Sequence, residues 1–409
     1  MKARTVKSKI RMFKTELMNY QMKIQEQYNK KVEHENIKIG KDPQYGKYIK
    51  INDLLIAIDH WNPQAEIIYI SHAHMDHIPR IPQNMRKVIE SGETEYKFLC
   101  SEITKNIAKI RTQGKFDIPE NAWMLNKEAW AQEITYLQKR TIGGNRNAKS
   151  LLFKDLKISL IENGHTYGST SLLIEWKKKR ILYTGDFITE DRTFQNKTHR
   201  TQTIYGLKPI NCDYLITECT FGAPKYIFPS FEQIQMNTRN YIRNSLERKT
   251  PVILLGYSFG KAQHLLQILS GFKKVLLHRN IAKLVEALER HGIKFPDWEP
   301  YGNYNKNKLR RTKDYILLIP PYSVLKEPYT SLISAGVAVM LFSGKIYDTP
   351  FCKKFSADKY IPFSDHCDFN NLRKFVVEAN PVSIWLEHGK IQEFTYLIKK
   401  IESVFSLKI

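Results

Sequence analysis

Residues 69–79 read YISHAHMDHIP. Three histidines (His72, His74, His77) and one aspartate (Asp76) crowd this short segment, directly behind an apolar run. On extended backbone, residues i and i+2 share a face, so His72 and His74 can address one metal ion together. Asp76 and His77 follow in a turn and can address a second. Zinc favours imidazole and carboxylate, and catalytic sites keep a position open for water. Three further candidates stand behind expected strands: His165 in NGHTYGS, Asp186 in YTGDF and His388 in WLEHG. Asp186 has two oxygens and could bridge two cations. Gly164 and Gly168 let the backbone crowd His165. Taken singly, a His or Asp beside a glycine is more often structural. Together with HAHMDH, these residues supply a complete two-metal ligand set.

The elements that must position them are legible as alternating patterns. Short apolar runs predict strands over 54–58, 67–70, 151–160, 171–176, 180–184 and 213–217. Helices are expected over 5–35, 103–110 and 127–139. A second α/β texture begins near Phe221, with strands over 251–257, 274–278, 315–319 and 337–342. Helices over 231–248, 261–269 and 281–291 alternate with them, which implies parallel strands with crossover helices. Polar strand ends resume near Pro362. A helix over 369–379, a strand over 383–387 and a helix over 392–405 complete the chain. The economical division is a basic N-terminal helical extension (1–36), one domain built from 37–220 and 364–409, and an insertion spanning 221–363.

The 409-residue chain is long enough for real cores, and 42% hydrophobic with 12% aromatic residues are globular values. A formal net charge of +23 favours a polyanionic partner, nucleic acid before an anionic membrane surface. No apolar stretch reaches the length of a membrane span, and MKARTVKSKIRMFK lacks the apolar core of a secretory signal. The five cysteines are scattered without a Cys-x-x-Cys pair, which disfavours a disulfide framework. A reducing compartment, cytoplasmic or nuclear, is the expectation.

The ligand pattern resembles the metallo-β-lactamase superfamily, and within it the β-CASP nucleases. The branch rests on Glu218 in TECTFG and His366 in PFSDHCDF, which match the acidic residue closing the first block and the histidine opening the last. The segments FGAPKYIFPS and LLGYSFGKAQ look like Artemis-type and crosslink-repair DNA nucleases, and like exonucleases associated with DNA ligases. The resemblance covers the chain from about residue 38. It implies an α/β fold: a metallo-β-lactamase αββα sandwich with an inserted α/β β-CASP domain.

By the same resemblance, His72, His74, His165 and Asp186 would hold one zinc, and Asp76, His77, Asp186 and His388 the other. Manganese or another divalent metal would also suit the donors. Asp59, ending LLIAID, would steady the ligand histidines from behind. The implied reaction is phosphodiester hydrolysis by a hydroxide activated between two metals. Asp76 would orient or deprotonate the water. His366 would protonate the leaving oxygen, and Glu218 would orient His366. The turn GYSFGKAQ could bind a terminal phosphate through free backbone N–H groups, Ser258 and Lys261. Tyr226, Phe228 and Tyr257 are candidates to stack unpaired bases. A 5′-to-3′ DNA exonuclease in repair or end processing is the first expectation. RNA processing on the same scaffold is the second, because RNA-cleaving relatives, like the ligase-associated exonucleases, carry histidine at the position of His388. A small-molecule metallo-hydrolase and a silent nucleic-acid-binding module are more distant readings.

Overall fold

The structure is a computed structural model that describes residues 36–91, 96–137, 141–195, 201–304 and 306–405. The basic helix expected over 5–35 lies outside the described residues.

Five strands form the first sheet in chain order: β1 (Ile37–Asp42), β2 (Gly46–Ile51), β3 (Leu54–Ile58), β4 (Ile67–Tyr69) and β5 (Lys97–Leu99). The first three are antiparallel, and β3, β4 and β5 run parallel. Next along the chain come β6 (Ile134–Leu137), two paired two-residue strands β7 (Thr141–Ile142) and β8 (Asn145–Arg146), then β9 (Ala148–Phe153), β10 (Leu156–Glu162), β11 (Thr170–Trp176) and β12 (Lys179–Tyr183). A hairpin of β13 (Arg192–Gln195) and β14 (Thr201–Ile204) precedes β15 (Tyr214–Cys219).

The third group is β16 (Val252–Leu255), β17 (Val275–Leu277), β18 (Glu299–Pro300), β19 (Ile316–Ile319), β20 (Ala338–Phe342) and β21 (Lys359–Ile361). The last strand, β22 (Ser383–Gly389), joins the second sheet, whose order is β22-β15-β12-β11-β10-β9-β6. Its first two pairings are parallel and the rest antiparallel. Tight hairpins make most of this sheet antiparallel, among them the one expected between 171–176 and 180–184.

Period-two burial explains how the two sheets pack. On β10, Leu156, Ile158 and Leu160 join a core with Ile56, Tyr69, Leu172, Ile174 and Ile181, so this apolar layer lies between the first and second sheets. The opposite face of the second sheet, with Ile161, Leu173 and Leu182, is covered by Phe375 and Phe394 from the helices Phe369–Ala379 and Ile391–Phe405. The outer face of the first sheet, with Ala57, Ile68 and Phe98, is covered by Ile107 and Ala108 of the helix Glu102–Arg111. Four layers result: helix, sheet, sheet, helix.

The third sheet is built wholly from residues 252–361, and every pairing in it is parallel. Strands β16 and β19 are buried at every position. Val252 and Leu254 face one core, Ile253 and Leu255 the other, as expected of a sheet covered on both faces.

The helix expected over 127–139 is corrected. Only Lys127–Trp130 is helical, and Ile134–Leu137 is strand β6, paired antiparallel with β9. Its register sets Ile134 against Phe153, and both enter the core between the sheets. Tertiary pairing outweighs local helix propensity here.

Candidate active site

Six strands carry the chemistry at their carboxyl ends. Asp59 follows β3, the HAHMDH turn follows β4, His165 follows β10, and Asp186 follows β12; Glu218 and His388 lie in the last residues of β15 and β22. Strands β12, β15 and β22 are parallel neighbours, so their ends fall at one rim of the second sheet. Asp59 and Ser71 are bridged from the rim of the first sheet. The Ser71 N–H donates to Asp59 Oδ1 at 2.7 Å and its hydroxyl to Oδ2 at 2.9 Å.

Three imidazoles converge with their tautomers fixed from behind. His165 Nδ1–H donates to the Asp365 carbonyl at 2.8 Å, which leaves the lone pair on Nε2. His74 Nε2–H donates to the Phe259 carbonyl at 3.2 Å, which leaves the lone pair on Nδ1. Ser71 spends its proton on Asp59, so His72 Nδ1–H donates to the Ser71 hydroxyl at 3.0 Å and Nε2 is free. His74 Nδ1 then stands 3.0 Å from both His72 Nε2 and His165 Nε2. Asp186 Oδ2 lies 3.7 Å from each of those two Nε2 atoms.

Three lone pairs and a carboxylate facing one another form the donor set of a cation, and the four ligand atoms lie within 4.8 Å. Burial, reinforced by the neighbouring rings, holds His72 and His165 far below the usual imidazole range. Burial, aided by Arg111, pushes His74 down to about 3. The rings are therefore neutral, as metal ligation requires. These residues fit the metal.

The second set is looser. His77 Nδ1–H donates to Asp59 Oδ2 at 2.9 Å, so its Nε2 lone pair faces Asp186 Oδ2 at 3.6 Å and Asp76 Oδ2 at 3.9 Å. Burial opposes a proton on His77, but the Asp186 and Asp59 charges outweigh it and push the group up to about 9. A proton and a metal compete for that same lone pair. Asp76 is exposed, and the His388 ring centroid stands 5.4 Å from that of His77. Asp186 is the shared member: its Oδ2 lies within 3.7 Å of His72, His77 and His165 Nε2. Burial raises its carboxyl.

His388 owes its position to a β-bulge. Glu218 pairs with Glu387 and Cys219 with Gly389, so His388 is skipped in the ladder. It sits at φ 54° and is followed by Gly389 at φ 84°. A bulge re-aims a side chain, here off the strand towards the rim. At Gly389 a Cβ would stand 2.2 Å from Thr220 Cα, so only glycine fits this crossing.

Beside this set, His366 Nδ1–H donates to Glu218 Oε2 at 2.8 Å and to Oε1 at 3.0 Å. Glu218 also accepts from the Phe187 N–H at 2.9 Å and from the Thr220 hydroxyl. Burial disfavours charge on His366, but Glu218 and Asp186 overcome it and push the imidazole up to about 9. His366 Nδ1 is 4.0 Å from Asp186 Oδ2, so the pair borders the ligand cluster directly.

No family model matches the chain. Among curated proteins, one named "Probable DNA ligase" from Opitutus terrae is 29% identical over 251 residues, which is 61% of this chain and 23% of that protein. An RNase J-like protein from Methanocaldococcus jannaschii is 26% identical over 319 residues, 77% of this chain and 66% of the relative. Protein artemis from Gallus gallus is 27% identical over 354 residues, 80% of this chain and 45% of the relative. These relatives are metallo-β-lactamase β-CASP nucleases, the family that the motifs of this chain resemble. The chain spans between about a quarter and about two thirds of the length of these curated relatives.

In this chain the His/Asp cluster forms the floor of a cleft of about 760 Å³, walled on the other side by residues around Tyr257–Lys261 and Ser343–Asp348. The wall departs from expectation at the GYSFGKAQ turn. Lys261 Nζ is 3.0 Å from Asp365 Oδ2, and both side chains are buried. The Gly260 N–H is taken by Gln263 Oε1 at 2.8 Å, and the Ala262 N–H by the Tyr257 carbonyl at 3.0 Å. The N–H groups of Gly260 and Ala262 are thus consumed by the turn itself, where free backbone N–H groups were expected. Tyr226 is corrected as a stacking platform: it is 1% exposed, packs on Phe221, and donates its hydroxyl to Asp348. Tyr257 remains exposed at the cleft.

Four contributors carry no spacing signal in the sequence. Buried Lys47 on β2 reaches Glu387 at 2.9 Å and Tyr183 at 3.0 Å beneath the site. The Tyr183 hydroxyl in turn donates to Asp59 Oδ2 at 2.8 Å. The Asp365 carbonyl orients His165, and Arg111 lines the cleft beside His74. Each comes from a segment whose local pattern reads as ordinary strand, loop or helix. Among the described residues no helix is long and apolar enough to cross a membrane.

Proposed function

We propose that this chain is a two-zinc nuclease that hydrolyses DNA phosphodiester bonds from a 5′ end, in repair or end processing. The observation that carries the reading is the juxtaposition of Glu218–His366 with the His72–His74–His165–Asp186 cluster, 4.0 Å apart at Asp186. His72, His74, His165 and Asp186 would hold one zinc, and Asp76, His77, Asp186 and His388 the other. Bound there, two zinc ions would supply an acidified water and neutralise charge on the phosphoryl oxygens.

The remaining work belongs to this chain's own side chains. Asp76, exposed on the cleft floor, orients the attacking water and accepts its proton. His366 keeps Nδ1 on Glu218 and presents Nε2 to the leaving oxygen, to which it gives a proton. Glu218 fixes the ring and favours its charged form. Asp59, bonded to His77, Ser71 and Tyr183, locks the ligand turn from behind. The net charge of +23 gathers a polyanion into the cleft. Ser258 on the far wall meets a terminal phosphate, with Lys261 behind it holding Asp365.

The reading divides the chain as 37–220 with 364–409 for the metal-bearing domain and 221–363 for the insertion. DNA is favoured because a relative bears the name DNA ligase, and its aligned part is 23% of that protein. RNA is the second reading, compatible with His388 at the bulge and favoured by the RNase J-like relative, which aligns over 66% of its own length. Matched DNA and RNA strands, labelled at the 5′ or the 3′ end and with or without 5′-phosphate, test both. Mononucleotides released progressively from the 5′ end of DNA are the expected product. Cleavage of RNA alone would overturn the preference for DNA.

A further inference from the structure

Several cations line the cleft without a part in the proton and metal chemistry of the reaction, and Arg111 is the one nearest His74. Arg111 is the last residue of the helix Glu102–Arg111, and its side chain lines the cleft beside His74 and Asp76. Its guanidinium carbon stands 5.5 Å from the centroid of the Phe259 ring. Its Nε is buried and has no hydrogen-bond partner among the described residues. Buried donors are nearly always satisfied, and the Arg111 side chain also lines the cleft, where an acceptor from outside the chain can meet its guanidinium. Phe259 is the residue whose carbonyl fixes the His74 tautomer, so one residue both holds a ligand histidine and supports the arginine.

We propose that Arg111 is a substrate-positioning residue that grips a backbone phosphate of the nucleic acid on the His74 side of the cleft. This rests on the nuclease reading. Packed on the Phe259 ring, the guanidinium keeps one orientation and offers its planar fork to two phosphate oxygens at once. A lysine would complement the carbonyl end of the helix equally well, but it would supply a point charge without the fork. That difference separates substrate recognition from helix capping.

The test uses the full chain with its metal bound, as wild type, Arg111→Ala and Arg111→Lys. The probes are DNA and RNA oligonucleotides in which a single methylphosphonate, which is uncharged, is walked through the sequence around the cleavage position. Arg111→Ala is expected to raise KM and the dissociation constant about 10- to 100-fold, with kcat within about threefold. Arg111→Lys should recover only part of that loss. At one position the methylphosphonate should weaken wild-type binding by a similar factor and leave Arg111→Ala binding unchanged. Melting temperature and bound metal per chain should match wild type, which removes folding as an explanation. Wild-type affinity in Arg111→Ala, full recovery by Arg111→Lys, or independent penalties at every methylphosphonate position would overturn the proposal. A wild-type chain that binds these strands without cutting them would sink the nuclease reading alone, and the binding series would still decide Arg111.

Discussion

Lys261 and Asp365 lie 3.0 Å apart, both buried, and are separated by 104 positions in the chain. Lys261 opens the helix behind β16, and Asp365 offers its backbone carbonyl to His165. One ion pair therefore joins the cleft wall to the orientation of His165, a candidate metal ligand. Arg192 at 3.7 Å and His264 at 3.5 Å add cationic and polar neighbours to the same carboxylate.

Removing one partner of a buried pair leaves the other charge stranded. Lys261→Met should destabilise the chain by about 3–5 kcal/mol in urea unfolding. Burial alone would raise the Asp365 carboxyl, but Lys261, His264 and Arg192 hold it well below the usual carboxylate range. Its contribution to stability is then full above the ordinary carboxylate value of about 4 and fades as pH falls further. In Asp365→Asn that acid-side loss should shrink, which unfolding curves taken from about pH 5 downward to about pH 2 would show as a shallower slope. An unchanged slope would remove Asp365 from the account.

Asp59 accepts hydrogen bonds from Ser71, His77 and Tyr183, so it fixes the ligand turn without facing the cleft. Asp59→Asn should weaken metal affinity about 10- to 100-fold. Competition with a chromophoric chelator measures this directly. Equal affinities in wild type and variant would show that the turn is held without the carboxylate.

Asp76 and His366 should separate by phenotype. Asp76→Ala is expected to lower kcat by about a thousandfold or more, equivalent to roughly 4 kcal/mol of barrier, while filter binding of nucleic acid changes little. His366→Ala should slow turnover by about 10²–10⁴-fold and leave bound metal unchanged by elemental analysis. Full turnover in either variant removes that residue from the reaction.

Gly389 sits at φ 84° where β22 crosses Thr220, and a Cβ added there would stand 2.2 Å from Thr220 Cα. Gly389→Ala should lower stability by about 1–3 kcal/mol through backbone strain alone. Because it follows the bulged His388, it should also loosen the second metal more than the first. Stepwise chelation, read as metal retained per chain, distinguishes the two sites. Loss of both metals together would show that the bulge does not control His388 separately.

Metal and polyanion dependence give two further expectations. Exhaustive chelation should abolish cleavage, and zinc should restore it. Nucleic-acid affinity should fall linearly on a log–log plot against salt, as expected where cationic side chains displace counterions from phosphates. A flat salt response would leave the net charge of +23 without a role in binding.

The ligand set is legible in the amino-acid sequence because each of its members ends an apolar run in a short polar motif. Strand periodicity places such residues at sheet rims, and clustering of His and Asp types does the rest. The helix expected over 127–139 failed for the opposite reason: the pattern around Ile134–Leu137 is short, and pairing with β9 decided its state. The phosphate turn illustrates the same limit. Gly260 and Lys261 look available in the sequence, yet Gln263 and Asp365 occupy them.

By itself, the sequence determined which side chains could ligate metal, which strands carry them, and that the chain's charge suits a polyanion, since residue type, local period and charge are properties of the chain alone. Tertiary structure decided the tautomers of His72, His74 and His165, the approach of Asp186 Oδ2 to His72, His77 and His165, the bulge that turns out His388, and the unsatisfied Nε of Arg111. Apart from the contact of His72 with its neighbour Ser71 and the unpaired Arg111 Nε, each of these depends on a partner distant in sequence, and such geometry exists only once the sheets have packed.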